Sequence, residues 1–380
     1  MAAEMGGVAT GAVRTASTGW RRRWPEWAGY AAAAWSLGYG ALLLGLYRAL
    51  GSAGFPFGAS DPGAVLSAFG SLRAETAVPV IVALSVGGAL VALAMARTRR
   101  RGILRAVLLT FAWSAAAVLV LVVPDYRLLA TLAYLPLYVI GAPFGWPGGS
   151  IIEAITWPVA NQLLCVVGGL FWAAAAVADQ RRSGVASNNG DRIGAAAGWT
   201  TPAAAASWGR WATAVAVIIP LLYAATRWAW ALGIPLGISD ELFREGQATG
   251  LWTAGAGLAT VAIGGAVLTL GLVQRWGEVF PRWIPVLAGR RVPPTLAIVP
   301  AALVSVAVTT AGLMFVRLTL LGTIGEAFTF IDSADWAALA PELLWPLWGV
   351  ALAAATLAYS YRRRAKGADP NGGQVRDDPS

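Results

Sequence analysis

Four arginines carry the chemistry this sequence could do. Arg48, Arg127, Arg227 and Arg317 each stand at or near the end of a long apolar stretch. A charge close to hydrocarbon needs a partner, because leaving it bare there is costly. The planar guanidinium fits a carboxylate or a phosphate through two parallel hydrogen bonds. Acids are at hand in each half of the chain: Asp61 and Glu153 in the first, Asp240 and Glu342 in the second. Two readings follow. In one, each arginine snorkels to the membrane interface and ties down its own loop, Arg48 through Asp61 and Arg227 through Asp240. In the other, the four arginines converge between two halves of the protein. There they bind an anion such as a phospholipid headgroup or a phosphorylated lipid carrier. Trp228 and Trp230 flank Arg227 and read as part of an interfacial aromatic belt, with cation–π contact to Arg227 as the other option.

Other chemistry is missing from the sequence. It has no histidine, which removes the commonest general base and the commonest metal ligand. Its single cysteine, Cys165, lies in an apolar stretch and cannot form an intrachain disulfide. No phosphate-binding Gly-rich loop ending in Lys-Ser or Lys-Thr is present, and no His-Glu-x-x-His. Asp332 and Asp335 stand three residues apart in a polar loop and read as solvated. No catalytic residue, metal or cofactor is expected, and the sequence leans away from an enzyme.

The elements that position the arginines are membrane helices. The chain has 380 residues, 57% hydrophobic and only 12% charged, against about 25% charged in a soluble domain. Apolar runs near or above 18 residues read as spans. Eight are predicted, over roughly 27–47, 76–96, 103–123, 153–178, 211–232, 248–273, 294–316 and 343–361. Residues 128–150 are apolar but cut by Pro136, Pro143 and Pro147, and read as a short interfacial or re-entrant piece with loop.

Charge placement sets the expected topology. With the N-terminus inside, the inside segments hold 22 of the 28 Lys and Arg residues, and the outside segments hold six: Arg48, Arg73, Arg127, Arg227, Arg244 and Arg317. Basic residues favour the cytoplasmic side of short loops, so both termini are expected to be cytoplasmic. The net charge of +9 is therefore a topology signal and a contact for anionic headgroups on the cytoplasmic face. It does not point to nucleic acid. The lipid bilayer is the expected partner, and no protein partner is indicated.

The chain repeats itself. "RALGSAGFPFGASD" from Arg48 aligns without a gap with "RWAWALGIPLGISD" from Arg227. Arg101 to Arg127 is 26 steps, and so is Arg291 to Arg317. "EAITWP" from Glu153 resembles "ELLWP" from Glu342. The expectation is an all-α polytopic membrane protein of about eight transmembrane helices, arranged as two parallel four-helix repeats. An even helix number starts both repeats on the same side. Residues 1–23 read as a flexible cytoplasmic tail, 24–182 as the first repeat and 183–207 as a flexible cytoplasmic linker. Residues 208–366 read as the second repeat and 367–380 as a disordered cytoplasmic tail.

The phrases "RWGEVFPRWIPVLAGRRVP" and "WSLGYGALLLGLYRALG…GFPFG" resemble uncharacterised multi-pass membrane proteins of actinobacteria. The resemblance covers most of the membrane part and implies a cytoplasmic-membrane location. It implies no activity, ligand or catalytic residue. The functional expectation is transport or binding of an anionic or amphipathic small molecule between the two repeats, toward the outer half of the bilayer. The alternative is a non-catalytic membrane scaffold or envelope-assembly partner.

Overall fold

A computed structural model describes residues 18–97, 102–141, 143, 155–187, 198–282, 284, 287–328 and 335–368. Glu153 and Asp332 lie outside these residues, as do the segments 1–17, 188–197 and 369–380. Among the described residues the chain is helical, with a single isolated β-bridge. Among the described residues, eight helices are long and apolar enough to cross a membrane. They fall where the apolar runs predict them, and the protein is a multi-pass membrane protein.

In chain order the helices are α1 (Thr18–Leu50), α2 (Ala74–Arg97), α3 (Ile103–Ala117), α4 (Tyr126–Gly141), α5 (Trp157–Ser187) and α6 (Pro202–Ala231). They continue as α7 (Asp240–Thr249), α8 (Leu251–Leu270), α9 (Pro294–Leu320), α10 (Ile324–Ala327), α11 (Trp336–Leu343) and α12 (Trp345–Ala368). The spans are α1, α2, α3, α5, α6, α8, α9 and the run from α11 through α12. Helix α3 runs on into a π-helical turn, Val118–Val122. Helix α1 starts inside the segment expected to be a tail, and α5 and α6 run into the expected linker from both sides.

Local chemistry sets the boundaries. Thr201 caps α6 by accepting a hydrogen bond from the Ala204 amide, with Pro202 at the first helical position. Ser239 caps α7 in the same way through Leu242, and Asp240 and Glu241 fill its first turn. Gly250, at φ +73°, ends α7 in the left-handed conformation that glycine adopts without penalty.

Helix packing follows one scheme in each half. In the first, α1 packs on α2 and α5, and α5 packs on α3. In the second, α6 packs on α8 and α12, and α12 packs on α9. Lipid is as apolar as leucine, so burial alone does not drive helices together in a bilayer. Small residues and interhelical hydrogen bonds do. Gly168 sits so close to Trp35 that a Cβ there would come within 2.2 Å of its ring. Ser305 of α9 donates to the Gly349 carbonyl of α12 at 2.9 Å.

Helix α4 joins the halves. It is 16 residues long and packs on α9 and α5. Around it Leu66 and Tyr126 meet Met314, Phe315 and Leu318, and Leu128 and Val166 meet Ala307. On the opposite face, residues 278–280 pair antiparallel with 289–292, with the Phe280 amide donating to the Arg290 carbonyl at 3.0 Å. The end of α12 holds these paired segments: the Tyr359 hydroxyl donates to the Gly277 carbonyl at 2.9 Å, and Arg363 to that of Val292 at 2.5 Å.

Candidate functional site

The loop from α1 to α2 and the short link from the π-helical turn to α4 place the first charged cluster. Asp61 is buried, and so is Asp125. Between them lies Arg127, whose guanidinium donates to both Asp61 oxygens at 2.6 and 2.8 Å and to Asp125 at 2.6 to 3.1 Å. Gln162 of α5 donates to the second Asp125 oxygen at 2.9 Å. The Gly63 amide donates to Asp61 at 2.9 Å, and a Cβ on Gly63 would strike the Arg127 guanidinium at 2.5 Å. Burial works against the charge of Arg127, but its bonds to Asp125 and Asp61 outweigh that and raise its proton affinity above the ordinary arginine value.

Arg317 reaches the same loop from the second half. Its Nη2 donates to the Leu66 carbonyl at 2.5 Å. Two of the four arginines therefore converge, and they converge on the roof formed by residues 51–73. Asp61 is taken by Arg127, so it is not the partner of Arg48. Arg48 is exposed at the end of α1.

The second charged cluster is built on α6 and α11. Arg227 pairs with the buried Glu342, and it donates to the carbonyls of Ala337 and Ala338 at 3.1 and 3.2 Å. Its guanidinium lies 4.4 Å from the Tyr223 ring centre and 4.6 Å from that of Trp230. Trp230 is buried, and its indole donates to the Leu236 carbonyl at 3.0 Å. It packs over Arg227, the cation–π option. Asp240 is exposed in the first turn of α7 and is not the partner of Arg227. Asp335, read from the sequence as solvated, is buried and accepts from the Ser239 amide at 2.7 Å.

The repeated phrase keeps one backbone feature in both corners. Gly58 and Gly237, its matching glycines, both take positive φ, +72° and +64°. At Gly58 an added Cβ would come within 2.1 Å of the Leu72 carbonyl oxygen. The corners otherwise differ: the first is a set of 3-10 turns, and the second leads directly into α7.

A cavity of about 620 Å³ lies within the first half. Its floor is Trp35 and Tyr39 of α1 with Cys165 and Trp172 of α5. Phe57, Phe69 and Leu72 of the 51–73 loop form its roof, and α2 and α3 are its sides. The π-helical turn contributes Val118 and Leu119. The lining is almost wholly apolar, and several of its polar groups are bonded to protein partners. Trp35 donates to the Leu164 carbonyl at 3.1 Å, Tyr39 to Asn161 at 2.9 Å and Thr76 to the Arg73 carbonyl at 3.1 Å.

The cavity opens sideways. Helices α2 and α3 scarcely touch, and Val80, Leu84 and Val118 at their gap are exposed. Only 11% of the apolar window of α3 and 28% of that of α2 is buried, against 56% for α5. Helix α5 is therefore the most enclosed of the three. Sequence reasoning missed this cavity, because a space between helices leaves no motif. It also missed Asp125, although "PDYR" puts an acid two residues before Arg127.

Comparison with family models, with curated proteins and with solved structures gives no match.

Proposed function

We propose that this multi-pass membrane protein binds an amphipathic molecule by its apolar part, in the cavity of the first four-helix unit. The observation that carries this is the cavity itself: about 620 Å³, apolar, and open between two lipid-facing helices. Pockets of ~300–1,000 Å³ are the size that encloses a small ligand. The π-helical turn beside it adds weight, since such turns are frequent at functional sites. This moves the ligand away from the junction of the units, where the described contacts are apolar and Arg127 is taken up by aspartates.

The reading includes a duplicated architecture. Gapless repetition of the corner phrase, the shared positive φ of Gly58 and Gly237, and the recurring helix pairings support two parallel units. It also includes a cytoplasmic-membrane location with the Arg127 face outward, supported by the arginine distribution. The paired segments 278–280 and 289–292, with Arg282, Arg290 and Arg291, then lie against anionic headgroups of the inner leaflet.

The test is capture. Protein purified in lipid nanodiscs is exposed to a photoreactive fatty acyl probe and digested. Labelling of peptides from α2, α3 or α5 is expected, and Ala115→Phe, which fills the cavity, should abolish it. A second reading, a membrane scaffold, is favoured by the local pairing of Arg127 and Arg227 with acids. Labelling that ignores Ala115→Phe would leave the scaffold reading in place.

A further inference from the structure

We infer that the cavity takes one hydrocarbon chain of a negatively charged phospholipid from the leaflet on the Arg127 face, with the headgroup at Arg73. This rests on the reading of the cavity as a ligand site and names the ligand's class.

The α2 residues that line the cavity are Thr76, Ala77, Val80, Ile81, Leu84, Ser85 and Gly88. They follow a spacing of three and four, which is one stripe of a helix. From Thr76 to Gly88 is 12 residues, about 18 Å of rise. That is close to half of a ~30 Å hydrocarbon core. The stripe therefore covers the depth of one leaflet, which is the reach of a single lipid chain.

The route is lateral. The 51–73 loop lines one end of the cavity with Phe57, Phe69 and Leu72. Arg127 and Arg317 hold that loop down through Asp61 and Leu66. The gap between α2 and α3 faces lipid, so a molecule arriving there comes from the bilayer.

Charge selects the headgroup. Arg73 lies three and four residues before Thr76 and Ala77 and continues their stripe past the end of the helix, where headgroups begin. It is exposed, and it is the only charged residue between Asp61 and Glu75. Asp61 and Asp125 share Arg127, and Arg317 reaches the same loop, so two arginines offset the two aspartates there. Glu75, also exposed, is two residues on and falls off the stripe. The rim thus presents a guanidinium to a phosphate, which it matches in shape and charge.

The experiment uses the full chain in nanodiscs doped with phosphatidylglycerol or phosphatidylcholine carrying the same photoreactive acyl chain. Phosphatidylglycerol should label the α2 and α3 peptides about fivefold more, the factor that one basic residue contributes near an anionic surface. Arg73→Gln should equalise the two lipids, and Arg73→Lys should keep part of the preference. Ala115→Phe should suppress both. Equal labelling by both lipids in the unaltered protein, still lost in Ala115→Phe, overturns the charge inference and leaves the cavity reading standing. Labelling unchanged in a monodisperse Ala115→Phe protein overturns both.

Discussion

Arg127 grips Asp61 with two parallel hydrogen bonds of 2.6 and 2.8 Å, across 66 residues of sequence. The geometry is the fork-to-fork pairing that only arginine offers a carboxylate. Because the same guanidinium also serves Asp125, one side chain fastens the 51–73 loop to the start of α4.

Arg127→Ala strands two buried carboxylates, and removing one partner of a buried pair costs about 3–5 kcal/mol. Thermal unfolding in detergent should fall by several degrees. Arg127→Lys should recover little, since a single ammonium cannot form two forks. Asp61→Asn should cost less, because Asp125 still holds the arginine. Midpoints for Arg127→Ala within a degree of the unaltered protein would show that the network does not hold the loop.

Arg48 and Arg227 align in sequence but should behave oppositely. Arg48 is exposed, and its replacement by Ala should change stability by no more than about 0.5 kcal/mol. Arg227→Ala leaves Glu342 buried and unpaired, at a cost of about 3–5 kcal/mol. Replacing both members, Arg227→Met with Glu342→Leu, should recover most of that loss. A double-mutant cycle with no coupling between the two sites would contradict the pairing.

Gly58→Ala adds a Cβ that meets the Leu72 carbonyl oxygen at 2.1 Å, at a φ of +72° that L residues rarely adopt. Strain of this kind costs about 1–3 kcal/mol. Since Leu72 lines the cavity, acyl-probe labelling should fall together with the unfolding midpoint. Gly51→Ala, also at positive φ but with open space around its Cβ, should lower the midpoint and leave labelling intact.

The proposed orientation can be read by cysteine labelling in intact cells. Starting from Cys165→Ala, Ser71→Cys and Glu245→Cys should react with a membrane-impermeant maleimide. Gln274→Cys should react only after permeabilisation. The reverse pattern would invert the assigned topology. Cys165 itself is buried and should stay unlabelled in both conditions.

The spans were legible because eight apolar runs of membrane length can hardly be anything else. The corners were half legible. The repeated phrase holds Gly58 and Gly237, which both take positive φ, but it says nothing about what covers Arg48 or Arg227. Cover comes from distant chain: α11 closes over Arg227, more than 100 residues later. The partner of Asp61 was missed for the same reason, since proximity in sequence favoured Arg48. Helix α7 was missed as an element, though Ser239, Asp240 and Glu241 carry a cap and an acidic first turn. The cavity had no signal at all, because a space depends on how far apart helices stand.

The bond from Arg317 to Leu66 sets a timetable for the chain's birth. The two residues are 251 apart. At ~5–20 residues per second, ribosomal synthesis separates them by roughly 13–50 s. Asp61 and Arg127, 66 apart, wait only about 3–13 s at the same rates. The nascent protein therefore passes through a stage in which its first unit is inserted and its roof is pinned on one side only. A ribosome stalled before α9 should expose that roof to protease, and one stalled after α9 has emerged should protect it.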